Sequence, residues 1–133
     1  MSILSVNTIK SLNTNGPVFQ NSSGVEKGTL CKAWVNFNAQ SSGTDKTIRA
    51  SFNVDSVTDI ATGRFAINFT SGALADANYT FSGNVANNNG TMVTHTGVQG
   101  DGDYSTSILD IRVITSGNNE VDRFITCIQV HGN

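Results

Sequence analysis

Hydrophobic residues alternate with polar ones over much of this chain. Ile48, Ala50, Phe52 and Val54 are interleaved with Thr47, Arg49, Ser51 and Asn53. This period of two is that of a strand with one face buried. Phe65, Ile67 and Phe69 repeat it, as do Leu109, Ile111 and Val113, and Phe124, Thr126, Ile128 and Val130. Cys31, Ala33, Val35 and Phe37 form one face of a further strand, which puts Lys32, Trp34 and Asn36 on the other. Helical spacing of apolar positions is nearly absent, and β-branched residues and Asn are abundant where helix formers would be needed. Turn chemistry rich in Gly, Asn, Asp and Ser falls between these runs at 41–45, 61–63, 71–78, 87–90, 97–103 and 116–120. Such residues tolerate the backbone angles of tight reversals. Asn89-Gly90 is the strongest hairpin signal among them. The pattern predicts an all-β fold: an antiparallel β-sandwich, jelly-roll-like or immunoglobulin-like, of seven or eight short strands.

The first 28 residues obey another rule. Ile3, Leu4, Val6, Ile9 and Leu12 supply a little hydrophobicity, and a polar stretch holding Pro17, the only proline, comes next. Residues 1–12 read as a short strand or extended arm, and 14–28 as a linker with a brief strand at 17–20. Residues 29–133 then form the sandwich. The expected core includes Cys31, Ala33, Val35, Phe37, Phe52, Val54, Phe65, Ile67, Phe69, Ile111, Val113 and Ile128.

Composition narrows the function classes. Asn, Ser, Thr and Gly make up 58 of the 133 residues, and charged residues are only 14%. This is well below the ~25% of an average soluble domain, yet Val, Ile, Leu and Phe suffice for collapse. Net charge is −2, with eight basic residues dispersed against ten acidic ones. A nucleic-acid partner held by a basic patch is therefore disfavoured. No apolar run approaches the ~20 residues of a membrane span, and residues 1–10 lack the pattern of a secretory signal. Cys31 and Cys127 lie in strand-like runs without further ligands at metal-binding spacing, and read first as two unpaired core thiols, with a disulfide between them as the alternative.

Candidate chemistry is sparse. His95, between two threonines, and His131, near the C-terminus, are the only histidines, and no GxSxG elbow accompanies them. Asp76, Asp101, Asp103 and Asp110 offer oxygens for calcium, but without EF-hand spacing. No catalytic residue, metal or cofactor is assigned, and the chain reads as non-enzymatic. A small polysaccharide hydrolase working through Asp101 and Asp103 is the weakest rival. Sugar recognition has more behind it, because exposed aromatics beside amide and carboxylate groups suit hydroxyl-rich ligands. Trp34, Tyr79 and Tyr104 are the available aromatics, with Trp34 read first as filling the core or a subunit interface. Asn87, Asn88, Asn89, Asp101, Asp103 and Tyr104, in two polar loops, are the candidate glycan or receptor contacts.

GTLCKAWVNFN at 28–38 and TIRASFNVDSVTDIATGRFAINFTSGALADANYTFSG at 47–83 resemble a segment of tail-fibre-like and other virion structural proteins of tailed bacteriophages, most of all those of cyanophages and other marine phages. Five blocks occur in order: AWVNFN, the IRASFNV strand, the TDIATG hairpin, FAINF and ADANY. The opening SILSVNTIKS is similar to the arm that precedes this segment. From Asn84 onward the reading rests on pattern alone. The resemblance implies a virion structural protein assembled in the host cytoplasm: a homotrimeric tail fibre, spike, knob or capsid decoration serving host attachment. Its partners would be copies of itself, other virion proteins engaged through Ile3, Leu4, Val6, Ile9 and Leu12, and host-surface glycan. The alternative is a lectin-like receptor-binding module.

Overall fold

The computed structural model describes residues 18–87, 95–98 and 104–132. The chain divides into two compact units, Met1–Leu30 and Cys31–Asn133. In the first, β1 (Val18–Gln20) pairs antiparallel with β2 (Glu26–Thr29). The Asn21 side chain organises the turn between them. Its Oδ1 accepts the backbone N–H groups of Ser23 at 3.1 Å and Val25 at 2.9 Å, and Gly24 takes φ +75°. The expected linker thus contains a hairpin. Its second strand, EKGT, lacks any apolar alternation that could have announced it. The arm positions Ile3, Leu4, Val6, Ile9 and Leu12 lie outside the described residues.

The second unit is a β-sandwich with eight strands among the described residues. They are β3 (Ala33–Asn38), β4 (Thr47–Phe52), β5 (Val54–Ala61), β6 (Arg64–Phe69), β7 (Thr80–Ala86), β8 (His95–Val98), β9 (Ile108–Ile114) and β10 (Ile125–His131). Sheet I has the order β4-β3-β10-β7 and sheet II the order β5-β6-β9-β8, with antiparallel pairing throughout. Val35, Phe37, Val85, Ile128 and Val130 of sheet I bury themselves with Val57, Phe65, Ile67, Leu109, Ile111 and Val113 of sheet II. The rings of Phe37 and Phe65 meet edge to face at 5.3 Å. Full burial of each large apolar side chain is worth ~1.5–3 kcal/mol, which makes this shared layer the main cohesive element.

Three expected core residues are not in it, among them Cys127, which is half-buried on the outward side of β10 because it falls out of phase with the inward Thr126 and Ile128. Phe52 is 49% exposed, and Cys31 is half-buried just ahead of β3. For Phe52 the cause is a bulge. Phe37 pairs with Ile48 but Asn36 pairs with Ala50, so Arg49 is an extra residue in β4. An inserted residue reverses the in-out phase of the rest of its strand. Ile48 therefore faces the core beside Phe37, whereas Ala50 and Phe52 turn outward with Asn36 and Trp34. Asn53 then adopts φ +56° and carries the chain from sheet I to sheet II, where Val54 is buried again. Its Nδ2 donates to the Lys32 carbonyl at 2.6 Å, fixing the corner. Asn is among the few non-glycine residues that accept this conformation at small cost.

The β5 edge is covered. Lys46 N–H donates to the Val57 carbonyl at 2.8 Å and Asp59 N–H to the Thr44 carbonyl at 2.6 Å. The segment 44–46 thus occupies groups that would otherwise template another chain. Gly97 and Val98, expected in the 97–103 reversal, belong to β8, and 99–103 lie outside the described residues. The 88–90 part of the Asn89-Gly90 turn lies outside the described residues.

Candidate functional site

The outer face of sheet I carries a groove of about 340 Å³ lined by Trp34, Asn36, Ser82, Asn84, Cys127 and Gln129 together with the strand backbone. Register builds it. Gln129 pairs with Trp34 on one side and Ser82 on the other, and Trp34 pairs with Phe52. One row across the sheet is therefore Phe52, Trp34, Gln129, Ser82. Two residues along, the next row is Ala50, Asn36, Cys127, Asn84. All eight positions share the outward face because side chains alternate along each strand. The small Cys127 and Ala50 keep the second row low beside the Trp34 ring. Trp34 is 39% exposed, so it fills no core; its assignment to the face opposite Val35 agrees with the structure.

The polar groups of this face are partly ordered. Gln129 Nε2 donates to Ser82 Oγ at 2.9 Å, which orients that amide. Arg49 donates to Asn36 Oδ1 at 3.3 Å and to the Phe124 carbonyl at 2.6 Å, and its guanidinium lies 4.5 Å from the Phe124 ring centroid. The cation at the rim is thus committed to the protein. Burial pushes the Cys127 thiol above its ordinary range, with nearby Arg49 opposing, so the groove floor is neutral at physiological pH.

The tyrosines have structural work. Tyr79 is buried, meets Phe69 edge to face at 5.9 Å, and donates its hydroxyl to the Ser105 carbonyl at 3.1 Å. It is not the exposed aromatic that a sugar contact requires. Tyr104 stacks on Tyr79 at 4.4 Å and donates its hydroxyl to the Tyr79 carbonyl. Burial raises both phenols, most strongly Tyr79, where Tyr104 adds to the effect. Tyr104 therefore spends one ring face and its hydroxyl on the fold. Asn87 directly succeeds β7 and is itself engaged in an interaction. Asn88, Asn89, Asp101 and Asp103 lie outside the described residues.

Asp76 is occupied in its own turn, accepting the Asn78 N–H at 2.7 Å, and Asp110 sits on β9. Among the described residues no group of three His, Cys, Asp or Glu side chains is arranged to hold a metal. The sequence puts Trp34 and Asn36 on one face but leaves Ser82, Asn84 and Gln129 unconnected to them. Alternation in AWVNFN and ITCIQVH places Asn36, Cys127 and Gln129 outward. Nothing in the chain order says that β10 lies between β3 and β7.

No family model matches the chain, and no curated protein matches it. Among solved structures it is similar to the phiAB6 tailspike, crystallised in complex with three-repeated oligosaccharides of Acinetobacter baumannii surface polysaccharide. The TM-score is 0.53 at 14% identity, covering 98% of this chain and 30% of that one. The chain thus spans less than a third of the neighbour's length. The likeness is one of fold.

Proposed function

We propose that this chain is a non-enzymatic structural module of a bacteriophage tail: a fibre, spike or knob subunit that assembles as a homotrimer and serves host attachment by surface complementarity. The observation that carries the reading is the similarity of nearly the whole chain to part of a phage tailspike. The AWVNFN-to-ADANY motif series supports it from an independent direction. A chain low in charge and rich in Asn, Thr and Ser suits adhesion without bond chemistry. On this reading residues 1–28 anchor the module to the particle, and the location is the virion.

Native mass spectrometry of the purified chain tests assembly, and deletion of residues 1–28 tests anchoring. The expected results are a trimer, and a truncated chain that folds but no longer enters particles. A monomer at micromolar concentration together with undiminished incorporation of the truncated chain refutes the reading. A second reading, a lectin-like module that binds host-surface glycan, is favoured by the oligosaccharide held by the tailspike neighbour. The two roles are compatible in one particle.

A further inference from the structure

We propose that the outer face of sheet I is a binding site for a neutral oligosaccharide, with a pyranose ring stacked on Trp34 and its hydroxyls bonded by Asn36, Ser82, Asn84 and Gln129. This deepens the attachment reading and rests on it, but it places the contact on the sheet and not in the 87–90 and 100–104 loops.

Three observations converge. The groove, about 340 Å³ and open on one side, falls at the low end of the ~300–1,000 Å³ range of small-ligand sites. The lining side chains carry no formal charge, while Arg49 at the rim bonds Asn36 and the Phe124 carbonyl and Lys32 shares the outward face two residues before Trp34. The uncharged lining matches a neutral ligand and offers a cationic one no counter-charge.

The third observation is spacing. A pyranose presents an apolar face of C–H bonds and a rim of hydroxyls, each a donor and an acceptor. Trp34 offers an apolar ring face, and the side chain of Gln129 lies one strand away, ~4.8 Å across the sheet. Asn36 lies two residues along the strand, ~7 Å from Trp34. Amides both donate and accept, so they match hydroxyls in either role. The Gln129–Ser82 bond holds one of these amides in place before any ligand arrives, lowering the ordering cost of binding. Phe52, 49% exposed and in register with Trp34, extends the apolar strip for a second sugar ring.

The chain has a single tryptophan, so its fluorescence reports this face alone. The test titrates the full chain with neutral tetrasaccharides of gluco, galacto and manno configuration and their N-acetylated counterparts. At least one is expected to shift Trp34 emission to the blue and to saturate. Asn84→Ala and Gln129→Ala should each weaken that binding about five- to tenfold with an unchanged melting temperature. Trp34→Ala, monitored by calorimetry, should abolish it. The proposal is overturned if no tetrasaccharide alters Trp34 emission at millimolar concentration, or if binding survives Trp34→Ala. It is likewise overturned if emission is already blue and shifts to the red on dilution as oligomers dissociate, which would mean that a second copy covers the face. Particle incorporation is measured separately. A chain that enters particles yet binds no sugar loses the groove proposal and keeps the virion role; one that binds sugar but never enters particles does the reverse.

Discussion

Phe52 and Phe65 look equivalent in the sequence, each an aromatic in an alternating run, yet the structure predicts very different costs for their removal. Phe65 is fully buried between the sheets and meets Phe37 edge to face. Phe65→Ala loses the transfer free energy of the ring, the aromatic contact and the packing around the void, together about 4 kcal/mol. Phe52 is about half exposed on the outer face of sheet I. Its truncation forfeits half of a burial worth ~1.5–3 kcal/mol, and water fills the space, so Phe52→Ala should cost about 1 kcal/mol. Urea unfolding monitored by far-UV circular dichroism measures both, with m unchanged as the check that the unfolded state is the same. For a domain of this size Phe65→Ala should lower the melting temperature by roughly 15–30 °C and Phe52→Ala by roughly 4–8 °C. Equal losses, or a larger loss for Phe52, would refute the bulge at Arg49 and restore the uninterrupted strand.

Gly63 closes the β5–β6 hairpin at φ +70°, where an added Cβ would lie 2.6 Å from the Val121 nitrogen and 2.7 Å from the Val113 oxygen, both backbone atoms. Gly63→Ala should therefore cost more than the ~1 kcal/mol of conformational strain alone, read by thermal melting, whereas Gly24→Ala in open space should cost only that strain. Asn53→Val combines a β-branched residue at positive φ with loss of the bond to Lys32, and should destabilise by about 3 kcal/mol in urea, with Asn53→Gly recovering the backbone part. The Lys46 ammonium, nearly buried, bonds Asp59 at 2.7 Å and the Ser41 carbonyl at 2.9 Å. Lys46→Met should cost ~2–3 kcal/mol by stranding the carboxylate, and adding Asp59→Asn should return part of it in a double-mutant cycle. Glu120 accepts from Arg64 and from Arg112, each at 2.7 Å. The Arg64 bond is the main cause that holds its carboxyl below the ordinary range, with Arg112 adding and desolvation opposing. Its stabilisation is thus complete above the ordinary glutamate pKa and disappears as pH falls through the lowered value. The stability gap between the parent and Glu120→Gln should be present at neutral pH and close on acidification below pH ~4.

The parts of the fold legible in the sequence are those where alternation runs without interruption. The inward residues of β3, β6, β9 and the end of β10 come from period two alone, because one buried face imposes that period on any strand. Phe52 defies such a reading because a bulge leaves no mark in composition: Arg49 is as acceptable in a regular strand as in a bulged one. Strand β7, TFSGNVA, is equally hard to see because Gly83 breaks its hydrophobic face and leaves only Phe81 and Val85. Tyr104 looks available in a polar loop, and only its stacking on Tyr79 shows that much of it is already used. The groove is hidden for a different reason. Its two rows draw on residues nearly a hundred positions apart, joined by pairings that require the strand order.

The outer faces of the two sheets divide the labour. On sheet II, Arg64 and Arg112 face each other across β6 and β9 and share the Glu120 carboxylate. The Asn68 amide donates to Ser56 at 3.0 Å and to Thr58 at 3.1 Å. That face satisfies its own polar groups and offers a ligand little that water does not already supply. Sheet I has the Gln129–Ser82 and Arg49–Asn36 bonds on its outer face, yet leaves Trp34 and Phe52 open beside these amides. Trp34 and Phe52 are adjacent across β3 and β4, so they form one exposed aromatic strip and are not scattered singly. The proposed recognition role uses that strip, since a ring with a wet edge and an apolar face suits a ligand of the same mixed character. The bulge at Arg49 links fold to recognition: the same extra residue that removes Phe52 from the core sets it beside Trp34 and completes the strip on which a sugar chain can lie.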